Sequence, residues 1–228
     1  MRVSKTDKRK IAKIEINNQT LDEVSHYKYL GAEITKDAKC DSEIKTRIAI
    51  SKQAFWKHKE IMRRNISKRT KIRILQTYIF SILSYGCESW TLKAELCKKI
   101  NAFENWCYRR ILKISWRDKI TNREVLRRMG KSHFEWLKII QERKLKFAGH
   151  VLRGSSGGLM MDVIEGDMER PRTRGRPRRI WFDDIKEWLN VSSMEEFKNM
   201  AQDRQAFRST VNTVISNLAT IGNDEATP

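Results

Sequence analysis

The four cysteines, Cys40, Cys87, Cys97 and Cys107, are scattered along the chain, and no two form a Cys-x-x-Cys pair. A structural zinc site needs close pairs, because one turn has to present two ligands to one ion. His26, His58, His133 and His150 do not supply the missing partners. No metal ligands are therefore expected, and the thiols read as buried and reduced, in a nuclear or cytoplasmic compartment. No run approaches the ~18 apolar residues of a membrane span. The stretch from Met1 to Lys10 is charged, with no apolar segment behind it, so a secreted protein is not expected. Acidic residues are also scarce: Asp+Glu number 28 against 47 Lys+Arg, a formal net charge of +19. That excess attracts polyanions. Nucleic acid is the partner it suggests first, with an anionic membrane surface as the weaker alternative.

What is present argues against disorder. Hydrophobic residues make up 39%, with seven Trp and eight Phe, enough aromatic mass for a packed core. Residues 11–16 partly alternate, Asn17-Asn18-Gln19 reads as a turn, and residues 26–34 alternate again, so a β-hairpin or small meander is predicted. From Ser42 the period becomes helical through Ile44, Ile48, Phe55 and Met62. Ser67 reads as the N-cap of a second helix carrying Ile72, Leu75, Ile79 and Leu83, which Tyr85-Gly86 stops. Leu96, Ile100, Phe103, Trp106, Cys107 and Ile111 mark a third stripe. Thr121 to Glu124, Ser132 to Glu135 and Ser193 to Glu196 each match a capping box, in which Ser or Thr and Glu satisfy each other's orphan backbone donors.

The fold class predicted is mainly α: a helical bundle with a small N-terminal β-hairpin and a helical C-terminal region. The expected division is a β element at 1–42, a helical domain at 43–153, a flexible Gly/Ser and Arg-rich linker at 154–180, C-terminal helices at 181–220 and a tail at 221–228.

Two basic stretches are the candidate binding residues. From Glu169 to Arg179 the chain holds six arginines, two prolines and a glycine. Arginine's planar fork pairs bidentately with phosphate, and Gly175, Pro171 and Pro177 keep the backbone open. Arg172, Arg174, Arg176, Arg178 and Arg179 are the residues expected to bind. Four readings stay open: a phosphate clamp, a minor-groove arm of the Arg-Gly-Arg-Pro kind, a nuclear-localisation signal and a solvated linker. The second stretch, Lys57 to Arg73, alternates cations with Ile61, Met62, Ile66 and Ile72. It supplies Arg63, Arg64, Lys68, Arg69, Lys71 and Arg73, a helix–turn–helix edge able to track a phosphate backbone without reading bases. Cations in the first turns after Ser67 oppose the helix dipole, which fits groups that face an anion, or else a solvated face.

From Tyr27-Lys28-Tyr29-Leu30-Gly31 onward a resemblance runs along the chain. That motif is similar to the Tyr-Leu-Gly that follows the palm of non-LTR (LINE-type) retrotransposon reverse transcriptases. Ser84-Tyr85-Gly86-Cys87-Glu88-Ser89-Trp90, Phe103-Glu104, Arg109-Arg110-Ile111-Leu112, Trp116-Arg117-Asp118, Thr121 to Leu126, Gly149 to Arg153 and Gly175 to Arg179 continue it in order. The ordered set spans about residues 1 to 190 and resembles most the RTE-like endonuclease–reverse transcriptases. The resemblance implies a primer-grip-like role for Tyr27, Tyr29, Leu30 and Gly31. Within the thumb-like domain of 43–153, it also implies that the helices from about 43 to 114 are the thumb that holds a primer–template duplex, and that the remainder helps to engage template RNA or target DNA, the nucleic acid being RNA, DNA or a hybrid.

Phosphoryl transfer in that family uses two metal ions about 4 Å apart, held by palm aspartates upstream of the Tyr-Leu-Gly motif. No aspartate pair precedes Tyr27 here, so no catalytic residue is assigned. Phe182-Asp183-Asp184 reads as a helix start, where Asp favours the dipole. No cofactor is expected in this chain, and Mg²⁺ is expected only for a full-length polymerase whose palm and fingers, or a partner chain, lie elsewhere. The alternatives are a host-recruited protein–protein interaction module and a polymerase active only within a longer polyprotein.

Overall fold

The computed structural model describes residues 15–20, 24–155 and 179–221, and these are mainly helical. The N-terminal β region is two separate two-stranded hairpins. Strands β1 (Glu15–Ile16) and β2 (Gln19–Thr20) pair across Asn17-Asn18, and β3 (His26–Tyr29) and β4 (Ala32–Thr35) pair across Leu30-Gly31. The predicted strand over 26–34 therefore folds back on itself at its midpoint. Both turn residues have positive φ, 46° at Leu30 and 83° at Gly31, the geometry that matches a two-residue turn to the strand twist. Glycine takes it freely, whereas a leucine there costs roughly 1–2 kcal/mol.

Helical residues hold this turn in place. The Tyr85 hydroxyl donates to the Leu30 carbonyl at 2.6 Å, and the Arg47 guanidinium donates to the Gly31 carbonyl at 2.5 Å. Arg47 also lies 4.4 Å over the Tyr85 ring and pairs with Glu43 at 2.6 Å. The other oxygen of Glu43 accepts the Glu33 N–H at 2.7 Å. Two stretches far apart in sequence, Tyr27 to Gly31 and Ser84 to Trp90, thus meet through one hydroxyl.

The helices follow in order: α1 (Asp41–Lys57), α2 (Lys59–Arg63), α3 (Lys68–Ile74), α4 (Ser81–Leu83), α5 (Ala94–Ile111), α6 (Asn122–Met129), α7 (Trp136–His150), α8 (Trp181–Leu189), α9 (Met194–Gln202) and α10 (Arg204–Ile221). Between α3 and α4 the backbone runs on as a π-helical stretch, Leu75–Phe80. Ser67 caps α3, accepting from the Thr70 N–H at 3.1 Å, as expected. Thr121 caps α6 in the same way, but Glu124 turns to Arg127 and Arg128 instead of completing the box. At Ser132 the box does not form. The helix starts at Trp136, and its first N–H groups, from Glu135 and Trp136, donate to the buried carboxylate of Glu104 on α5, at 3.1 and 2.9 Å. A side chain from another helix has taken over the capping.

Buried residues form two apolar clusters. The first joins α1, the π-helical stretch, α5 and α6 through Ile44, Phe55, Leu75, Ile100, Phe103 and Val125, and includes the N-terminal half of α7 through Trp136 and Ile140. The second joins α8, α9 and α10 through Ile185, Phe197 and Val211, and includes the C-terminal half of α7 through Leu145 and Ala148. One helix therefore serves both. At the seam, Lys144 and Asp184 are fully buried and paired at 2.5 Å. Lys144 also donates to the Trp90 carbonyl at 2.8 Å, and Asp184 accepts the Leu92 N–H at 2.7 Å. Phe182-Asp183-Asp184 is the helix start expected of it: Asp183 accepts the Ile180 N–H at 2.7 Å, while Asp184 faces inward.

Gly149 sets how closely α10 approaches α7. A Cβ there would lie 2.3 Å from Cε1 of Phe207, whose ring belongs to the second core. Gly149→Ala is expected to cost about 1–3 kcal/mol through overpacking. A urea-unfolding cycle with Phe207→Ala should show the two changes to be strongly non-additive. Additive costs would mean that the ring does not set the spacing.

Candidate nucleic-acid interface

The basic α2–α3 edge is exposed along most of its length. Arg63, Arg64, Arg69 and Arg73 are solvent-facing, and among the described residues no carboxylate pairs with them. Lys68 donates to the Arg128 carbonyl at 2.9 Å, which ties the start of α3 to the end of α6. Lys71 differs from the rest: it is only 8% exposed. Burial, and after it the charge of Lys113, lower its pKa.

Lys113 introduces a part of the interface that the sequence reading missed. The C-terminus of α5 faces α1 and α2 across a cleft of about 480 Å³. Lys59 and Arg63 line one side, and Arg109, Arg110 and Lys113 the other. The remaining wall is Phe55, Trp56, Met62 and Ile114, with Ser115 at the edge. None of the five cations has a carboxylate partner among the described residues. Arg109 instead donates to the Ile120 carbonyl at 2.6 Å and to Asn122 Oδ1 at 3.0 Å, and the Arg110 guanidinium lies 5.3 Å from the Trp56 ring centre. In sequence, Arg109, Arg110 and Lys113 look like cations that complement the negative end of a helix dipole. Only the packing of α5 against α1 and α2 brings them opposite Lys59 and Arg63.

The remaining expected residues fall into three groups. Tyr27, Tyr29 and Leu30 are exposed, by 52%, 56% and 74%, and Gly31 completes their turn. Arg172, Arg174, Arg176 and Arg178 lie outside the described residues. Arg179 is already engaged, donating to Asp184 at 2.7 Å and to Glu187 at 2.6 Å. It anchors the end of the Arg-rich segment on α8. No three His, Cys, Asp or Glu side chains gather as a metal site among the described residues, and no described helix is long and apolar enough to cross a membrane.

The chain is similar to a transposon-derived protein. It is 25% identical over 203 residues to an uncharacterised transposon-derived protein of Caenorhabditis elegans, a match covering 84% of this chain and 71% of that relative. No protein-family model and no solved structure matches it. A match of that extent runs from the first apolar core into the second.

Proposed function

We propose that this chain is a nucleic-acid-binding piece of a non-LTR retrotransposon reverse transcriptase, in which helices α1 to α5 act as a thumb on the phosphate backbone and the catalytic aspartates belong elsewhere. The observation that carries this reading is the cleft, where five cations from α2 and the C-terminal end of α5 converge and no described carboxylate neutralises them. Desolvating like charges together is costly unless an anion joins them. The ordered motifs from Tyr27 to Arg179 and the transposon-derived relative support the same reading.

The test is a salt-titrated binding measurement on an RNA–DNA hybrid, duplex DNA and single strands. Each phosphate contact contributes about −0.7 to −0.9 to the log–log slope. Replacing Arg63 and Lys113 by Ala should make the slope shallower by roughly 1.5 to 2, and replacing Arg174, Arg176 and Arg178 by about 2 to 3. Failure to bind any of these polymers at low ionic strength would end the proposal.

A further inference from the structure

We propose that the cleft between α2 and the end of α5 takes an unpaired nucleotide, with its phosphate on the Lys113 and Arg63 side and its base stacked on Trp116 and Trp56, so that the chain prefers single-stranded nucleic acid at this place. The inference rests on the nucleic-acid reading above and makes it more specific.

A site for duplex backbone needs only cations. This cleft has an apolar and aromatic wall as well, which a sugar–phosphate strand would leave unused. Its volume of about 480 Å³ lies within the ~300–1,000 Å³ usual for sites that enclose one small ligand. Trp56 is 40% exposed although its neighbours Phe55 and Trp106 pack edge-on against it. Trp116, which follows Ser115 at the cleft edge, is 84% exposed, the most exposed of the large hydrophobic side chains described.

An indole left in water forgoes a large burial gain, and the local backbone keeps it there. Trp116 opens a short 3₁₀ turn in which Asp118 accepts the Ser115 N–H at 2.6 Å and Ser115 Oγ accepts the Arg117 N–H at 3.4 Å. Lysines with positive φ bend the chain on either side, 56° at Lys113 and 47° at Lys119. Such conformations cost of order 1 kcal/mol each in a residue with a Cβ and tend to gather where a segment has a task. Arg117 lies 5.6 Å from the indole centre, supplying a cation beside the ring. Aromatic platforms in a cationic groove are the general means of holding single strands, because every base has a face to stack.

Fluorescence anisotropy on the full chain tests this with labelled oligothymidine, an abasic chain of the same length, duplex DNA and oligoglutamate. Oligothymidine should bind about tenfold or more tightly than the abasic chain. Trp116→Ala, at a site too exposed to disturb folding, should shrink that preference to about twofold, and Trp116→Phe should restore most of it. Equal, salt-sensitive binding of the intact and abasic chains would overturn the stacking proposal and leave backbone binding in place. Oligoglutamate binding as tight as oligothymidine would overturn it in favour of an acidic polypeptide. Binding of none of the probes would remove both this inference and the reading beneath it.

Discussion

Asp184→Ala is expected to lower stability by about 3–5 kcal/mol, the usual cost of removing one partner from a buried ion pair. Asp184 has three donors to satisfy: Lys144, the Leu92 N–H and Arg179. Without it, Lys144 is left with the Trp90 carbonyl and the faces of Trp181 and Trp188, whose centres are 5.0 and 5.5 Å away. Burial already lowers the Lys144 pKa, and Asp184 is the main influence opposing that fall. In the variant the amine therefore gives up its proton at a lower pH in the folded state than in the unfolded chain. Stability rises with pH while the unfolded lysine still holds its proton, so the deficit should shrink on going from neutral to alkaline buffer. Lys144→Met combined with Asp184→Leu should cost far less than Asp184→Ala alone, because an apolar pair removes both desolvation penalties. Urea midpoints at unchanged m would report this. A single-site cost below about 1 kcal/mol would show that the pair is not dry.

Stability should also fall, by about 3 kcal/mol, as pH rises from 5 to above 7, and Glu104→Gln should abolish that slope. Burial pushes the Glu104 carboxyl up from the ordinary 4.5 to about 7, against the lowering pull of the Tyr108 hydroxyl and the N–H groups of Trp136 and Glu135. Between those two values the folded protein holds a proton that the unfolded chain has released. The contribution is fully present below about 4.5 and is lost as pH passes through about 7. Glu124, held down to about 2 by Arg127 and Arg128, acts in the opposite sense, and only at lower pH. The interval from 5 to 7 is therefore governed by Glu104. Glutamine carries no titratable proton but keeps only one of the two oxygens that accept the Tyr108 hydroxyl and the Glu135 and Trp136 N–H groups, so its curve should be flat there and set lower by the hydrogen bond it loses. Parallel curves for the two proteins would show that Glu104 is solvated.

How far the sequence disclosed this structure depends on how local each signal is. Ser67, Thr121 and Ser193 cap their helices as expected, because a cap is decided within four residues. The stripe through Leu96, Ile100, Phe103, Cys107 and Ile111 is buried for the same reason: it repeats at the helical period. The failures are non-local. Ser132 lost its role to Glu104, 28 residues earlier and on another helix. Alternation over 26–34 could not show that Leu30 would accept a left-handed backbone, because the groups that hold it there, Tyr85 and Arg47, come later in the chain. Arg179 looked like one more arginine in a basic run, and its carboxylate partners are visible only once α8 is placed. Of the candidate site, the α2–α3 edge was legible as a charge pattern. The cleft was not, because its opposing cations sit about fifty residues apart and become neighbours only through packing.

The position of α7 limits how this protein can be taken apart. Cutting the chain back before Trp181 would leave Leu145, Ala148 and Leu152 as an oily strip on the surface and strand a bare ammonium among them. Any attempt to isolate the cationic helices for binding work must keep the closing helices, or repaint that strip with polar residues and neutralise Lys144. A shortened form made without either step would report the stickiness of the wound and not the chemistry of the cleft.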